Sequence, residues 1–249
     1  MQDKPARLPR FFVELAVHAH SELALGREAA HHAARVLRLR SGDALIVFDG
    51  RGGEYTAHLA ALTRERVVVG IGAWHDTERE SPLAVTLLQG ISSGERMDFT
   101  VRKAVELGAA TIQPLLSARS VVRLSDAREA AKLEHWRRIV IAACEQCGRN
   151  RVPELRAPLT VEDYCRQPEP AALRLLLAPG AGVTLHALGG RISGPVALAA
   201  GPEAGFSAQE EAELGAAGFV PVSLGPRVLR TETAALAALA GLNALGGDG

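Results

Sequence analysis

Short apolar runs separated by turn signals occupy the first third of the chain, a pattern typical of a small β-rich domain. Two of these runs, in DALIVFDGRGGEYTAHLAAL, lie on either side of the glycine-rich turn 49–53 and predict a β-hairpin, and RVVVGIGAW predicts a third strand. Ahead of the hairpin, apolar residues at helical spacing predict a short amphipathic helix from Glu28 to about Leu39. The polar stretch from His75 to Pro82 then interrupts the pattern, so we expect one domain at 1–77 and a second at 78–249.

Beyond Pro82, apolar strand-like runs alternate with helical patterns of ten or more residues, which favours an α/β domain with a mostly parallel sheet. Helices are predicted from about Gly94 to Leu107, from Glu129 to about Gly148, from Ser207 to Gly218 and at the C-terminal end. Ligands of such sheets bind in the loops that follow the carboxyl ends of the strands. We therefore expect a binding site in those loops.

The balance of charge argues against a non-specific nucleic-acid binder, because the formal net charge is zero. The charges are nevertheless uneven: residues 96–156 carry 12 Lys and Arg against 7 Asp and Glu, and residues 1–40 carry 7 against 4. All but three of the 28 basic residues are arginines, whose planar fork suits phosphates and base edges. A polyanion could therefore find two basic regions on a neutral protein.

Cysteine usage and hydropathy are those of an intracellular protein. Three cysteines are too few for a disulfide scaffold, the N-terminal residues do not read as a signal peptide, and the apolar run 233–245 is too short to span a bilayer. We expect a cytoplasmic protein that is not inserted in a membrane. The pair Cys144 and Cys147 lacks a second pair for zinc, so we interpret both as packing residues and expect no metal site.

The loop GPEAGFSAQE follows the strand-like run VALAA and could bind a nucleotide-like ligand. Gly201 and Gly205 permit backbone conformations that other residues avoid, and Ser207 with Glu210 predicts a capping box at the start of a helix. A plain strand-to-helix turn explains the same pattern about equally well. The phosphate-binding patterns G-x-G-x-x-G and G-x-x-x-x-G-K-[ST] are missing, which makes dinucleotide and triphosphate sites weak interpretations.

A second loop of the same kind, in SLGPRVLRTETAALAALAGL, precedes the C-terminal helix. Arg227, Arg230 and Glu232 lie at the beginning of a helix with few other polar side chains. A cation is electrostatically unfavourable at a helix N-terminus, so the two arginines indicate an anionic partner, although a solvated helix end would also accommodate them. A helix this apolar is expected to be buried in the core or against another subunit.

These blocks resemble the bacterial 16S ribosomal RNA uridine N3-methyltransferases of the SPOUT superclass over essentially the whole chain. The resemblance lies in several separate segments in the family's order. They are RFF at 10–12, HHAARVLRLRSGD at 31–43, KAVELGAATIQPL at 103–115, EQCGRNRVPEL at 145–155, GPEAGFS at 201–207 and LGPRVLRTETAAL at 224–236.

The resemblance implies an N-terminal β-barrel similar to the PUA RNA-binding module and an α/β methyltransferase domain with a deep trefoil knot. It implies S-adenosylmethionine as the cofactor, held by the two glycine loops, and a homodimer that acts on 16S ribosomal RNA. The sequence leaves open whether the substrate is naked RNA or the assembled 30S subunit, and the near-neutral charge leads us to expect the subunit. The expected cofactor contacts are Gly201, Pro202, Glu203, Gly205, Leu224, Gly225 and Leu229. The expected RNA contacts are Arg7, Arg10, Arg35, Arg38, Arg149 and Arg151.

For catalysis, we expect Arg230 to orient the uracil and stabilise its developing anionic imide, with Glu232 as the base or as an anchor for Arg230. One residue departs from the family's GPEGG loop: Ala204 replaces a glycine. If this position required positive φ, alanine would be strained by about 1 kcal/mol. Cofactor affinity is the property that such strain would alter.

Three other functions remain open on the sequence. The scaffold could methylate a ribose 2′-oxygen or another base, since the motifs define the donor better than the acceptor atom. The chain could be a non-catalytic RNA-binding assembly factor, which failure to bind S-adenosylmethionine would reveal. A nicotinamide oxidoreductase is disfavoured by the missing glycine fingerprint.

Overall fold

The computed structural model describes residues 8–14, 16–63, 66–120, 126–189 and 192–248. The chain divides into two compact units, one made of residues 1–80 with 144–152 and the other of 81–143 with 153–249. The chain therefore returns to the first unit after entering the second. The boundary expected after residue 77 remains a prediction.

The first unit contains a five-stranded sheet. Its strands are β1 (Arg10–Phe12), β2 (Glu22–Ala24), β3 (Ala44–Phe48), β4 (Glu54–Leu62) and β5 (Val67–His75), in the order β1-β3-β4-β5-β2. The predicted hairpin is β3 and β4, which pair antiparallel, and the predicted third strand is β5. Irregular register between β4 and β5 at two places increases the local twist and curls the sheet. The strand path through the described residues ends at β1 and β2 without closing.

The predicted helix of this unit is shorter than its apolar pattern suggested. An α-helix, α1 (Arg27–His31), is followed by one π-helical stretch, His32–Val36. The amide of Leu39 then donates to the carbonyl of Ala33, and Arg38 adopts φ +55°. The expectation of a helix to Leu39 was wrong at this end, because the chain turns back there to pack Leu39 against the core.

The second unit contains a seven-stranded sheet in which every described pair is parallel, which confirms the predicted α/β architecture. Along the chain its strands are β6 (Val85–Gly90), β7 (Thr111–Leu116), β8 (Glu154–Leu155), β9 (Leu159–Thr160), β10 (Leu173–Leu177), β11 (Val196–Ala200) and β12 (Val220–Val222). They are ordered β12-β10-β11-β6-β7-β8, with β9 also beside β7. The helices are α2 (Gly94–Glu106), α3 (Asp126–Cys147), α4 (Val161–Arg166), α5 (Ala208–Ala216) and α6 (Thr231–Gly246), with a 3-10 helix at Leu185–Leu188.

The core of this unit lies around the central strands β6 and β11, all of whose residues are buried. Helix α6 covers them with one face, since its buried positions Ala235, Ala238, Leu239 and Leu242 recur at helical spacing. None of the helices in the described part of the chain combines the length and the apolar character that crossing a membrane requires. The apolar C-terminal helix is thus a core helix of the second unit.

Candidate active site

A cleft of about 260 Å³ opens at the carboxyl ends of β10, β11 and β12, where the sheet type predicts a ligand. Each of these strands leads into a loop that forms one wall. Its lining residues, all in the second unit, are Arg96, Leu177–Pro179, Ala200–Glu203, Gly205, Val222–Gly225, Arg227–Glu232 and Ala234. The seven expected cofactor contacts and both expected catalytic residues therefore line one cleft, while their roles remain predictions.

The first glycine loop owes its shape to very close backbone packing. A Cβ atom added to Gly90, at the end of β6, would lie 2.4 Å from Cδ and 2.5 Å from the nitrogen of Pro202. A Cβ on Gly201 would lie 3.0 Å from the Cα of Gly205. The capping box predicted from Ser207 is present and begins α5. The loop is therefore pressed onto the sheet and ends in a fixed helix start.

Positive φ in this loop falls on Gly205, at +70°. Ala204 is not among the described non-glycine residues with positive φ, which are His20 and Arg38. The alanine that replaces a glycine of the family's loop therefore carries no left-handed strain. Because Ala204 does not have positive φ, backbone strain at this residue gives no reason to expect altered cofactor affinity.

The side chain of Glu203 anchors the same loop to the start of α2. Its carboxylate accepts hydrogen bonds from the amide of Ser93 at 2.9 Å, from the hydroxyl of Ser93 at 2.8 Å and from Nη1 of Arg96 at 3.1 Å. Burial alone would raise the pKa of Glu203, but these hydrogen bonds hold that pKa below its ordinary value. Glu203 thus stays charged and fixes the loop to a helix N-terminus, where a carboxylate is favourable.

Gln89 and Thr231 connect the two glycine loops, a link that the sequence analysis missed. The hydroxyl of Thr231 donates to the carbonyl of Gly201 at 2.5 Å. The amide nitrogen of the fully buried Gln89 donates to that hydroxyl at 3.1 Å and to the Gly201 carbonyl at 3.4 Å. A glutamine within an otherwise apolar buried strand was the one available signal.

The second loop leads from β12 to the first turn of α6. Ser223 is held by the carbonyls of Ala181 and Val183, and Gly225 turns the chain with φ +107°. Arg230 is the N-cap residue of α6, and its exposed guanidinium has no ion pair among the described residues. Oε2 of Glu232 is buried without a hydrogen-bond partner in the described part of the chain. The cleft is therefore lined by an arginine without an ion pair and by a glutamate with an unsatisfied carboxylate oxygen, among the described residues.

The expected RNA contacts divide into three groups. Arg7 lies outside the described residues. Arg35, Arg38 and Arg151 are exposed. Arg10 and Arg149 are instead buried in the first unit, only 8% and 4% exposed, where Arg10 pairs with Glu54 and Arg149 with Glu80.

RNA contact by Arg10 and Arg149 remains a prediction, which their burial and their pairing with carboxylates disfavour, because such an arginine has little donor surface left for a phosphate. Arg10 also donates to the side chain of Asn150. Burial would raise the pKa of Glu54, but hydrogen bonds from Arg79 and Arg10 lower it below its ordinary value. These arginines hold the segment 144–152 within the first unit.

Cys144 is buried and Cys147 and Cys165 are partly buried, so the interpretation of Cys144 and Cys147 as packing residues remains a prediction. Burial raises the pKa of Cys144 to about 12 and that of Cys165 to about 11, so neither forms a reactive thiolate near neutral pH. No group of three or more His, Cys, Asp or Glu side chains in the described ranges could hold a metal ion. The chemistry of the cleft is that of polar side chains and backbone.

Fold and site together define a class, that of RNA methyltransferases with a PUA domain. The family described as "RNA methyltransferase domain" matches residues 79–243, and the family described as "RNA methyltransferase PUA domain" matches residues 25–72. The first match covers about two thirds of the chain.

Similarity to individual proteins shows which family of RNA methyltransferases the chain belongs to. Ribosomal RNA small subunit methyltransferase E of Buchnera aphidicola from Schizaphis graminum is 33% identical over 97% of this chain and 98% of the relative. The Synechocystis protein of the same name is 38% identical over 86% of this chain and 70% of the relative. The chain therefore belongs to the ribosomal RNA small subunit methyltransferase E family of RNA methyltransferases.

Two solved structures are similar over nearly the full length. A methyltransferase from Legionella pneumophila in complex with the cofactor SAM has a TM-score of 0.93 and 41% identity, covering 98% of this chain and all of its own. Ribosomal RNA small subunit methyltransferase E from Neisseria gonorrhoeae bound to S-adenosyl methionine has a TM-score of 0.89 and 39% identity, with coverage of 97% and 99%. The fold described above is that of these proteins.

Proposed function

We propose that this protein transfers a methyl group from S-adenosylmethionine to N3 of a uridine in 16S ribosomal RNA. The observation that carries the proposal is the single cleft in which both glycine loops meet Arg230 and Glu232. Relatives at 33% and 38% identity are ribosomal RNA small subunit methyltransferases, and two structures of similar fold hold the proposed donor.

The residues of the cleft fit S-adenosylmethionine. The molecule combines a flat adenine, which hydrogen-bonds to backbone groups, with an ammonium and a sulfonium, which carboxylates stabilise. The loops at 201–205 and 224–229 expose backbone on two sides, and Glu232 keeps a buried carboxylate oxygen without a partner in the described chain. Gly201, Pro202, Gly205, Leu224, Gly225 and Leu229 would hold the cofactor largely through backbone, while Glu203 fixes the loop.

The bound cofactor supplies an electrophilic methyl group, and the protein must prepare the nucleophile. Uridine N3 carries a proton and becomes nucleophilic as an imide anion. The free guanidinium of Arg230 would orient the uracil and stabilise the charge on its oxygens. Glu232 would accept the N3 proton or fix Arg230, and positioning of the reactants adds several kcal/mol to the reduction in barrier.

We further propose that the second unit is knotted, with the chain after β12 passing through the loop that connects β10 to β11. In support, Ser223 bonds to Ala181 and Val183 of that loop, and a few residues later Thr231 bonds to Gly201. We propose also that the curled sheet of the first unit is part of a PUA-like barrel.

We propose a cytoplasmic homodimer that acts on the 30S subunit. Helix α6 supports the dimer, since its exposed positions Thr233, Ala237, Ala240 and Ala244 form a stripe of small uncharged residues opposite the buried face. Light scattering on the purified protein gives the mass directly. A monomer that remains fully active would contradict the homodimer.

The function is tested by incubating the protein with S-adenosylmethionine and 30S subunits that lack the native modification, with naked 16S RNA in parallel. Nucleosides are then released and identified by mass spectrometry. We expect N3-methyluridine from the subunits. A 2′-O-methyl product would show that the acceptor is a ribose 2′-oxygen and not N3. No transfer by a well-folded protein would favour a non-catalytic RNA-binding role.

The role of Arg230 is tested by Arg230→Ala, with Arg227→Ala as the matched control from the same loop. We expect Arg230→Ala to lower turnover by about 10²-fold or more with unchanged cofactor affinity, since removal of one such donor typically costs that much. Arg227→Ala should retain most of the activity. Normal turnover by Arg230→Ala would contradict the assignment.

A further inference from the structure

The turn after the π-helical stretch of the first unit exposes two apolar side chains among arginines. Val36 is 61% exposed and Leu37 is 41% exposed. Arg35, Arg38 and Arg40 are also exposed, and no acidic residue occurs between Glu28 and Asp43. This segment, 35–40, is called the basic turn below.

The basic turn is held in its shape by the residues beneath it. The amide of Leu37 donates to the carbonyl of His32 at 2.9 Å, and that of Leu39 to the carbonyl of Ala33 at 3.0 Å. Ala33 is fully buried, and the ring of His32 lies edge-on to Phe11 of the core, with 6.0 Å between ring centroids. The turn is therefore anchored on both sides, and Val36 and Leu37 project from a fixed base.

The backbone of the basic turn is strained at Arg38, where the chain turns back to pack Leu39 against the core. Arg38 adopts φ +55°, a conformation that a glycine or asparagine would accept more readily. π-Helical stretches also tend to occur at functional sites. The turn itself serves the packing of Leu39, but an arginine where a glycine would fit with less strain and two exposed apolar side chains point to a further role for this segment.

We propose that the basic turn docks an unpaired RNA nucleotide, with Val36 and Leu37 against the base and the flanking arginines on the phosphates. The charge supports RNA as the occupant: Arg35 and Arg38 form no ion pair among the described residues. Unpaired bases of loops and bulges offer apolar faces that double-stranded RNA hides. The proposal rests on the proposed function, because it presumes an RNA substrate.

The test is filter binding of the full-length protein to unmodified 16S RNA and to a fully paired RNA duplex of equal charge. The variant Val36→Ser/Leu37→Ser should lose about tenfold in affinity for 16S RNA, with little change on the duplex and an unchanged salt slope. Leu62→Ser is the matched control, since Leu62 is also 41% exposed in the first unit.

The arginines are tested separately. Arg35→Gln/Arg38→Gly should reduce the slope of log affinity against log salt by about 1.5, as expected for two lost phosphate contacts. Arg66→Gln is the control for charge. Arg38→Gly alone relieves the positive φ, so it should raise the thermal midpoint while it weakens RNA binding. A merely structural role for Arg38 would not separate these two effects.

Each result decides the proposal. Equal affinity of Val36→Ser/Leu37→Ser and wild type for 16S RNA would overturn it, as would an equal loss in Leu62→Ser. Binding of the wild type to anionic phosphatidylglycerol vesicles through Val36 and Leu37, without RNA binding, would assign the turn to a membrane surface. If the wild type neither binds nor methylates RNA, the proposed function fails as well, whereas normal methylation by every variant overturns the docking proposal alone.

Discussion

The contact between Gly90 and the first glycine loop predicts the effect of a single methyl group. In Gly90→Ala the new Cβ would lie 2.4 Å from Cδ and 2.5 Å from the nitrogen of Pro202, where 3.4 Å is the lower limit of ordinary contact. Either the loop or the strand must therefore move by about 1 Å. Overpacking of this kind costs about 1–3 kcal/mol.

The cost should appear mainly as lost cofactor affinity. The strand β6 is fixed by neighbours on both sides, whereas the loop 201–205 is free to yield on the side of the cleft. If the loop yields, 1–3 kcal/mol corresponds to about a 5- to 150-fold rise in the dissociation constant of S-adenosylmethionine. Titration calorimetry measures that constant, and thermal unfolding measures the stability of the same sample.

Gly72→Ala is the matched control. Its Cβ would lie 2.7 Å from Oγ1 and 2.9 Å from the carbonyl oxygen of Thr56, between β4 and β5 of the first unit. We expect it to lower stability to a similar degree and to leave cofactor affinity unchanged. The reasoning is refuted if Gly90→Ala binds the cofactor as the wild type does, or if Gly72→Ala weakens binding equally.

Three further predictions concern the same loop and the cysteines. Gly205→Ala, at φ +70°, should be destabilised by about 1–2 kcal/mol and bind the cofactor less tightly, whereas Ala204→Gly should bind as the wild type does; equal effects would contradict this. Because the pKa of Glu203 is lowered in the folded protein, the charged side chain stabilises the fold fully at pH values above the ordinary carboxylate pKa. This stabilisation is lost as the pH falls through the lower pKa of the folded state. Cofactor affinity of Glu203→Gln should lack that acidic decline, as calorimetry across pH would show. Cys144, with a pKa of about 12, should resist iodoacetamide at pH 8 in the folded protein, and rapid alkylation there would contradict its burial.

Local pattern predicted the long elements well, because each is a complete apolar run between turn residues. Strands β3, β4, β5 and β11 and the four long helices were all anticipated from such runs. The elements that were missed are short: β1 and β2 have three residues each, β8 and β9 have two, helix α4 has six and the 3-10 helix has four. Such strands exist through pairing with distant neighbours, which local pattern does not contain.

The cleft was predictable for a related reason: the strand-to-loop transitions that form it are local and rich in glycine. The surroundings of the expected RNA contacts could not be predicted, because a sequence shows charges without their partners. Arg10 meets Glu54 across 44 positions, and Arg149 meets Glu80 across 69. A basic residue and a distant acid that neutralise each other look, on the sequence alone, like two exposed charges.

The return of the chain to its first unit has a consequence for synthesis on the ribosome. Residues 144–152 complete that unit, and the buried Arg10 has its partner Asn150 there. Residues 81–143 of the other unit must be translated before Asn150 exists, which takes several seconds at roughly 5–20 residues per second. The N-terminal sheet therefore leaves the ribosome well before its own unit can be completed, because the end of helix α3 that belongs to this unit is synthesised later.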